Sequence, residues 1–424
     1  MLCSGPAFCG DGAAAPCRAD LRLSDQEENP VGERTLCAAG EGEFTETMKI
    51  LIITNHSYML YRFRKELIEH LQRKHEVVLS MPFVGHEEDF RAMGIRCIET
   101  NLDRRSINPQ KDLALLRTYR QMLRQEKPDL VITYSVKPNI YGGLASAMAG
   151  IPYCVNVQGL GTAFSNPLLS AVVGELYRVA LRRASTVFFE NAGDASEFVR
   201  RRSIPQSKVT LLSGAGVNLA DYGQLPYPRQ NRFRFLFVGR IMKEKGVEEL
   251  FAAMRRLHAA MPGQVMLDLV GFFDDQRDEV YKAQVQQLVQ EGIVQFHGFQ
   301  TDPRPYYGIA DCVVLPSYHE GMSNVLLEAA ASGRPLITSD VHGCREAVEP
   351  DVSGYLCRVA DADSLYEQML RMMQLTGAER EAMGAAGRRK MEQDFEKHMV
   401  VHKTFNAIFG EPLLSEEPHS TTVR

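Results

Sequence analysis

From Met48 onward the chain alternates short runs of β-branched and aliphatic residues with longer stretches that place an apolar residue every three or four positions. Short apolar runs are the mark of strands buried on both faces, and the longer spacing is the mark of amphipathic helices. In the first half this pattern predicts strands at 50–54, 76–80, 129–133, 153–157, 186–189 and 209–212. Helices are predicted at 61–73 and 113–125. The apolar stretch 167–181 is interrupted by Glu175 and Arg178, so it reads as an amphipathic helix rather than a membrane span. A polar stretch with two prolines, 221–232, reads as a linker. The alternation then restarts, with strands predicted at 233–238, 265–270, 293–296, 312–315 and 336–338. Helices follow at 324–331, 363–373, 378–395 and about 398–409.

The pattern predicts an α/β protein with two Rossmann-like, doubly wound parallel-sheet domains in tandem. The first would span 48–220 and the second 233–395. Residues 396–411 would form a helix packing back toward the first domain, and 412–424 a polar tail. The 424 residues are enough for two such cores, and 45% hydrophobic with 24% charged residues is ordinary for a soluble globular chain.

Composition changes the picture at the start. Residues 1–47 hold Cys3, Cys9, Cys17 and Cys37 but no sustained periodicity. No basic start precedes an apolar stretch, so a signal peptide is not expected. The segment is expected to be an unstructured extension, with Met48 as the natural start. The other cysteines (Cys97, Cys154, Cys312, Cys344, Cys357) form no Cys-x-x-Cys pair. They are expected to be buried, reduced thiols of a cytosolic protein. Net charge is −5, distributed as −6 over residues 1–47, +8 over 48–230 and −7 over 231–424. A basic first half points to an anionic partner, such as a membrane surface or a diphosphate-bearing lipid. No interleaved aromatic platform or known module points to nucleic acid.

Candidate chemistry concentrates in the second half. Glu320 falls in a loop after a predicted strand, where ligands bind in parallel sheets. Ser323 reads as an N-cap, and Gly321, Met322, Ser323 and Asn324 form a helix N-terminus suited to a phosphate. Glu328 lies one turn further on. Two carboxylates flanking an anion site match a sugar nucleotide, whose hydroxyls flank a diphosphate. Gly239, Arg240, Lys245 and Gly246 follow the first strand of this half, and the two cations can converge on a pyrophosphate. Phe296 and His297 end a further strand, Phe299 follows its glycine turn, and the segment is a candidate for contact with a base, with Phe296 or Phe299 packing on it. Asp361-Ala-Asp363 precedes a helix and reads as an N-cap rather than a metal site.

Together these segments resemble glycosyltransferase family 4, whose members have the GT-B fold. Glu320 and Glu328 match its E-x7-E motif, and Gly239, Arg240, Lys245 and Gly246 its GR-x4-KG loop. The resemblance implies a retaining transferase that uses a nucleotide sugar, with no cofactor and no metal. It implies that Glu328 binds the donor ribose and Glu320 the transferred sugar, while Arg240 and Lys245 neutralise the departing diphosphate.

In the first half, Lys137-Pro138-Asn139 opens a helix after a strand, and Gln158-Gly159-Leu160-Gly161 follows another. With His56 they are the candidate acceptor contacts: His56, Lys137, Asn139, Gln158, Gly159 and Gly161. The KPN-x-YGG and GLG-x-x-F elements resemble a subgroup that adds a sugar to a saccharide carried on undecaprenyl diphosphate. That implies a UDP-sugar donor, a lipid-diphosphate-linked acceptor and a peripheral position at the inner face of the plasma membrane. Two features depart from many members. The first loop, Thr54 to Tyr58, has no glycine, and Gln158 stands where a histidine is common. A GT-B sugar-nucleotide epimerase and a noncatalytic binding module remain the competing readings.

Overall fold

Ile50, Leu51, Ile52 and Ile53 are all fully buried, yet they serve two different cores. Leu51 and Ile53 pack with Val131, Val155, Val187 and Phe189 on one face of a sheet. Ile50 and Ile52 pack with Ile132, Cys154 and Phe188 on the other. A strand covered on both faces has no position for a polar residue, which is why it reads as an unbroken apolar run. The computed structural model of the protein describes residues 47–103, 108–159, 167–273 and 279–410. The extension before residue 47, the tail from 411 and Gly161 lie outside the described residues.

The first sheet contains β1 (Lys49–Ile53), β2 (Glu76–Met81), β3 (Arg96–Glu99), β4 (Leu130–Tyr134), β5 (Tyr153–Val157), β6 (Thr186–Phe189) and β7 (Val209–Leu211). Their order is β3-β2-β1-β4-β5-β6-β7, and the paired strands run parallel. The second contains β8 (Phe233–Arg240), β9 (Val265–Phe272), β10 (Val294–Gly298), β11 (Cys312–Leu315), β12 (Leu336–Ser339) and β13 (Gly354–Cys357). It is also parallel, in the order β10-β9-β8-β11-β12-β13. Both orders reverse direction beside the first strand of the half, which opens a crevice at the carboxyl ends of β1 and β4, and of β8 and β11.

The helices on these sheets follow from local sequence. α1 (Ser57–Gln72) buries Leu60, Arg64, Leu67, Ile68 and Leu71, one face at helical spacing. α3 (Pro109–Glu126) starts with Pro109 after Asn108, whose side chain accepts from the amides of Gln110 and Lys111. α10 (Asn324–Ala331) ends before Gly333, which has φ 76°. α11 (Ala362–Gln374) is capped by Asp361, whose carboxylate accepts from the Ser364 amide, the N-cap role read from sequence. The sequence reading missed β3 and β13. Both are four-residue edge strands, too short to display a period. It also started α1 and α3 about one turn late: α3 opens on Pro109-Gln-Lys-Asp112, with no aliphatic or aromatic residue to mark the turn, and α1 has no Ser, Thr, Asp or Asn at its N-cap.

Two segments join the halves. Residues 212–232 contain no strand or helix, but they are pinned rather than loose. Arg334, fully buried, donates to the carbonyls of Pro226 at 2.6 Å and of Tyr307 at 2.7 Å. At the other end, α12 (Gly377–Asp394) leads into α13 (Lys397–Phe409). Val400, Val401 and Phe405 of α13 enter the core that holds Ile50 and Ile52. The last helix thus completes the first domain. The five cysteines of the described residues are free thiols, four of them buried. No described helix is long and apolar enough to cross a membrane.

Candidate active site

The crevice between β8 and β11 gathers the charged residues of the second half. Arg240 is the last residue of β8, and the backbone then makes a tight turn over Lys243–Lys245. Gly246 closes that turn at φ 70°, and a Cβ there would overlap the Pro316 carbonyl. Only glycine lets this loop press against the end of β11. The contact brings the Lys245 ammonium onto Oε1 of Glu320. Ser317 donates its hydroxyl to the same oxygen at 2.7 Å. Oε2 of Glu320 accepts no hydrogen bond among the described residues.

The start of α10 is only partly available to an anion. Ser323 is buried, and its amide donates to the Gly343 carbonyl at 2.9 Å. Met322 buries its side chain in the core of the second domain. The expectation that the amides from Gly321 to Asn324 all point at a ligand is therefore corrected for Ser323. No hydrogen bond among the described residues occupies the amides of Met322 and Asn324.

Glu328 lies one turn inside α10 and is buried. The Tyr307 hydroxyl, from α9 (Arg304–Ile309), donates to Oε2 at 3.0 Å. Arg62 of α1 approaches Oε1 at 3.6 Å. Burial pushes the Glu328 carboxyl above its ordinary range, while Arg62 and the Tyr222 and Tyr307 hydroxyls draw it back. Arg62, Tyr222, Asn324, Glu328 and Lys397 line a cavity of about 220 Å³ between the two halves.

The base candidates are placed differently from each other. The His297 ring bonds Asp268 Oδ1 at 2.8 Å and packs at a tilt against Tyr306, so it braces the sheet. Phe296 lies within β10 and packs on Phe273. Phe299, just past the strand, is 53% exposed. It meets Phe272 of β9 on one side and Tyr58 of α1 on the other. Phe299 is thus the aromatic that stands in the crevice.

In the first half the corresponding crevice holds three polar side chains from three loops. Ser135, just after β4, takes φ 76°, a conformation L-residues rarely adopt. Its hydroxyl donates to Asn55 Oδ1 at 2.8 Å and lies 3.5 Å from Gln158 Oε1. His56 occupies the N-cap position of α1 beside Asn55, without a capping hydrogen bond from its side chain. One acceptor candidate is corrected. Asn139 is fully buried: it accepts from Thr133 and donates to the Asn156 carbonyl, both at 2.8 Å. It ties β4 to β5 and touches no ligand space. The Lys137 ammonium is paired with Asp112 of α3 at 2.8 Å.

The two crevices face each other and touch. A Cβ at Gly321 would overlap the Gln158 carbonyl, and Gly159 lies against Gly321 as well. Asn191 donates to the Gly321 carbonyl at 2.7 Å. The loop carrying Glu320 is therefore seated on the loop after β5. Arg62, Asn55, Ser135, Tyr222 and Tyr307 escaped the sequence reading, since each is an isolated polar residue whose partners lie far away in the chain.

Residues 227–390 match the family model "Glycosyl transferases group 1", and residues 62–215 match "Glycosyl transferase 4-like domain". The chain is 27% identical over 346 residues to N,N'-diacetylbacillosaminyl-diphospho-undecaprenol alpha-1,3-N-acetylgalactosaminyltransferase of Campylobacter jejuni, covering 77% of this chain and 90% of that protein. It is 26% identical over 283 residues to UDP-Gal:alpha-D-GlcNAc-diphosphoundecaprenol alpha-1,3-galactosyltransferase of Escherichia coli, covering 63% and 72%. Among solved structures, Anabaena HepE in complex with UDP and glucose superposes with a TM-score of 0.70 at 19% identity, over 85% of this chain and 99% of that one. Sucrose-phosphate synthase of Thermosynechococcus elongatus gives 0.70 at 22%, over 86% and 99%. The likeness in structure is one of fold, and that fold is GT-B.

Proposed function

Because the chain belongs to the glycosyltransferases that pair a 4-like domain with a group 1 domain, we propose that it moves a hexose or N-acetylhexosamine from a UDP-sugar to a saccharide carried on a lipid diphosphate, with retention at the anomeric carbon. The product would enter capsule, O-antigen or other surface-glycan assembly. The observation that carries this reading is the Lys245–Glu320 pair at the β8–β11 crevice, seated against the Gln158 loop of the other domain. Two relatives whose names specify undecaprenol-diphosphate acceptors support the choice of acceptor.

In this reading Glu328 receives the ribose hydroxyls and Glu320 a hydroxyl of the transferred sugar through its open Oε2. Arg240 and Lys245 face the diphosphate. As the bond from the anomeric carbon to the phosphate oxygen breaks, negative charge builds on the leaving group, and the two cations stabilise it. The acceptor hydroxyl attacks from the same face and hands its proton to that departing phosphate. No protein base is then needed, which fits Gln158 where a histidine is common. The chemistry calls for no metal.

We place the enzyme at the inner face of the plasma membrane. α5 (Pro167–Leu181) presents Val172 and Val179, 58% and 52% exposed, with exposed Arg182 and Arg183 just beyond it. Arg178, Arg200 and Arg201 add less, because Glu175 and Glu197 already pair with them. The apolar side chains supply the insertion and the remaining arginines attract anionic lipid.

The test is a screen of UDP-sugars with membrane extract, reading UDP release and product mass. Glu320→Ala should abolish turnover while UDP still binds. Unchanged turnover in that variant, or conversion of a UDP-sugar with no acceptor present, would sink the reading. Flotation with anionic vesicles tests the membrane contact, and Val172→Asp with Val179→Asp should weaken it.

A further inference from the structure

A buried carboxylate needs a compensating charge close by, or it is driven toward its neutral form. Within its own domain Glu328 meets only hydroxyls, those of Tyr307 and of Tyr222 at the domain boundary. The cations that face it both come from elsewhere, Arg62 from α1 and Lys397 from α13. Lys397 is committed to the Phe63 carbonyl at 3.3 Å and to Glu66 at 3.8 Å. Arg62 is the nearer partner.

The geometry of Arg62 is specific. Its Nη1 donates to the Thr301 carbonyl at 3.2 Å and its Nη2 to the Tyr222 hydroxyl at 2.9 Å. These bonds clip a side chain of the first domain onto the second. The guanidinium then stands 3.6 Å from Glu328 Oε1. That is close enough for an ion pair but too long for a hydrogen bond. It supplies charge without itself occupying a lone pair of Oε1. A ribose diol is a pair of hydrogen-bond donors, and a carboxylate accepts from it far better than a neutral acid does.

We propose that Arg62 is a positioning residue for the donor nucleotide: it reaches across the domain boundary, supplies the positive charge that Glu328 needs, and so makes nucleotide affinity depend on the two domains being docked. This rests on reading Glu328 as the ribose contact. Loss of Arg62 removes the nearer of two cations that hold down a carboxyl already raised by burial. Nucleotide binding should then weaken as the pH falls. Lys397, lowered to about 8 by burial, stays charged at the acid end of the range, where the effect is read, and begins to lose its charge only toward the upper end.

The experiment is calorimetric titration of the full chain with UDP alone, from about pH 5.5 to about pH 7.5. It compares wild type, Arg62→Met, Arg62→Lys, Glu328→Gln and the Arg62→Met/Glu328→Gln double variant. The ratio of variant to wild-type Kd cancels the titration of the diphosphate itself. For Arg62→Met the ratio should be about tenfold at the acid end and shrink to about twofold at the upper end. Arg62→Lys should bring it back toward one at every pH. With Glu328→Gln in place, removing Arg62 should shift Kd by one constant factor. A ratio that is flat with pH in Arg62→Met, whether one or much larger, overturns the proposal while leaving the donor assignment intact. Failure of the wild type to bind UDP overturns both.

Discussion

Lys245 and Glu320 stand 75 residues apart in the chain and form one ion pair at the β8–β11 crevice. Each side chain is largely shielded from solvent, at 19% and 13% exposure. In the proposed reading, the pair holds two opposite charges ready beside the place where the diphosphate leaves the sugar. Lys245→Met should lower kcat by a factor on the order of 10² to 10³, the usual cost of losing one preorganised charge at a leaving group. Thermal stability should change little. Steady-state UDP release and a melting curve on the same sample check both parts.

Gly321 tests the docking of the two halves. It takes no left-handed conformation, so alanine fits its backbone, but the added Cβ would overlap the Gln158 carbonyl. Gly321→Ala should hold the domains apart. Turnover should fall by more than about tenfold, since misplacing reacting groups by an ångström has costs of this size. Small-angle scattering should show a larger radius of gyration. A variant with wild-type scattering and wild-type rate would contradict the contact.

Ser135 trades stability for position. Its left-handed backbone costs about 1 kcal/mol or more, and its hydroxyl links Asn55 to the Gln158 loop. Ser135→Gly should leave the melting temperature unchanged or slightly higher. The acceptor KM should rise several-fold, because the two loops proposed to face the acceptor lose their common anchor.

Arg64 and Glu190 form a buried ion pair at 2.6 Å, with side-chain exposures of 6% and 8%. Burial raises the Glu190 carboxyl, while Arg64 lowers it. A carboxyl raised in the folded state favours folding most in acid, and that benefit disappears as the pH climbs through its folded value. Arg64→Met raises it further, so the penalty should grow with pH. We expect a loss of about 3 to 5 kcal/mol at neutral pH and clearly less near pH 5. Adding Glu190→Gln should recover much of it. Urea unfolding of the three proteins at two pH values decides the matter.

The donor motif was legible because its parts lie within two short segments. Glu320 and Glu328 are eight residues apart, and Arg240 and Lys245 are five apart. Each pair is bound to one strand–loop–helix junction, so sequence spacing already fixes its neighbourhood. Arg64 also left a signal, as a charged residue on the apolar stripe of α1. Arg62, two residues earlier, left none, since its partners Thr301, Tyr222 and Glu328 come from three distant segments. Asn139 misled for the converse reason. Its motif sits at a strand end, where ligands bind, but the turn directs its amide inward to Thr133 and Asn156.

The sequence alone determined the two parallel-sheet halves, because hydrophobic period is a local property that each strand and helix carries within itself. It also picked out the candidate donor residues, whose side chains are held at fixed offsets around single turns. Only the tertiary structure decided how the halves meet: Gly321 on the Gln158 carbonyl, Arg62 beside Glu328, and α13 returned to the first core. These contacts join residues that no local pattern relates, and they form only where two separately folded surfaces fit.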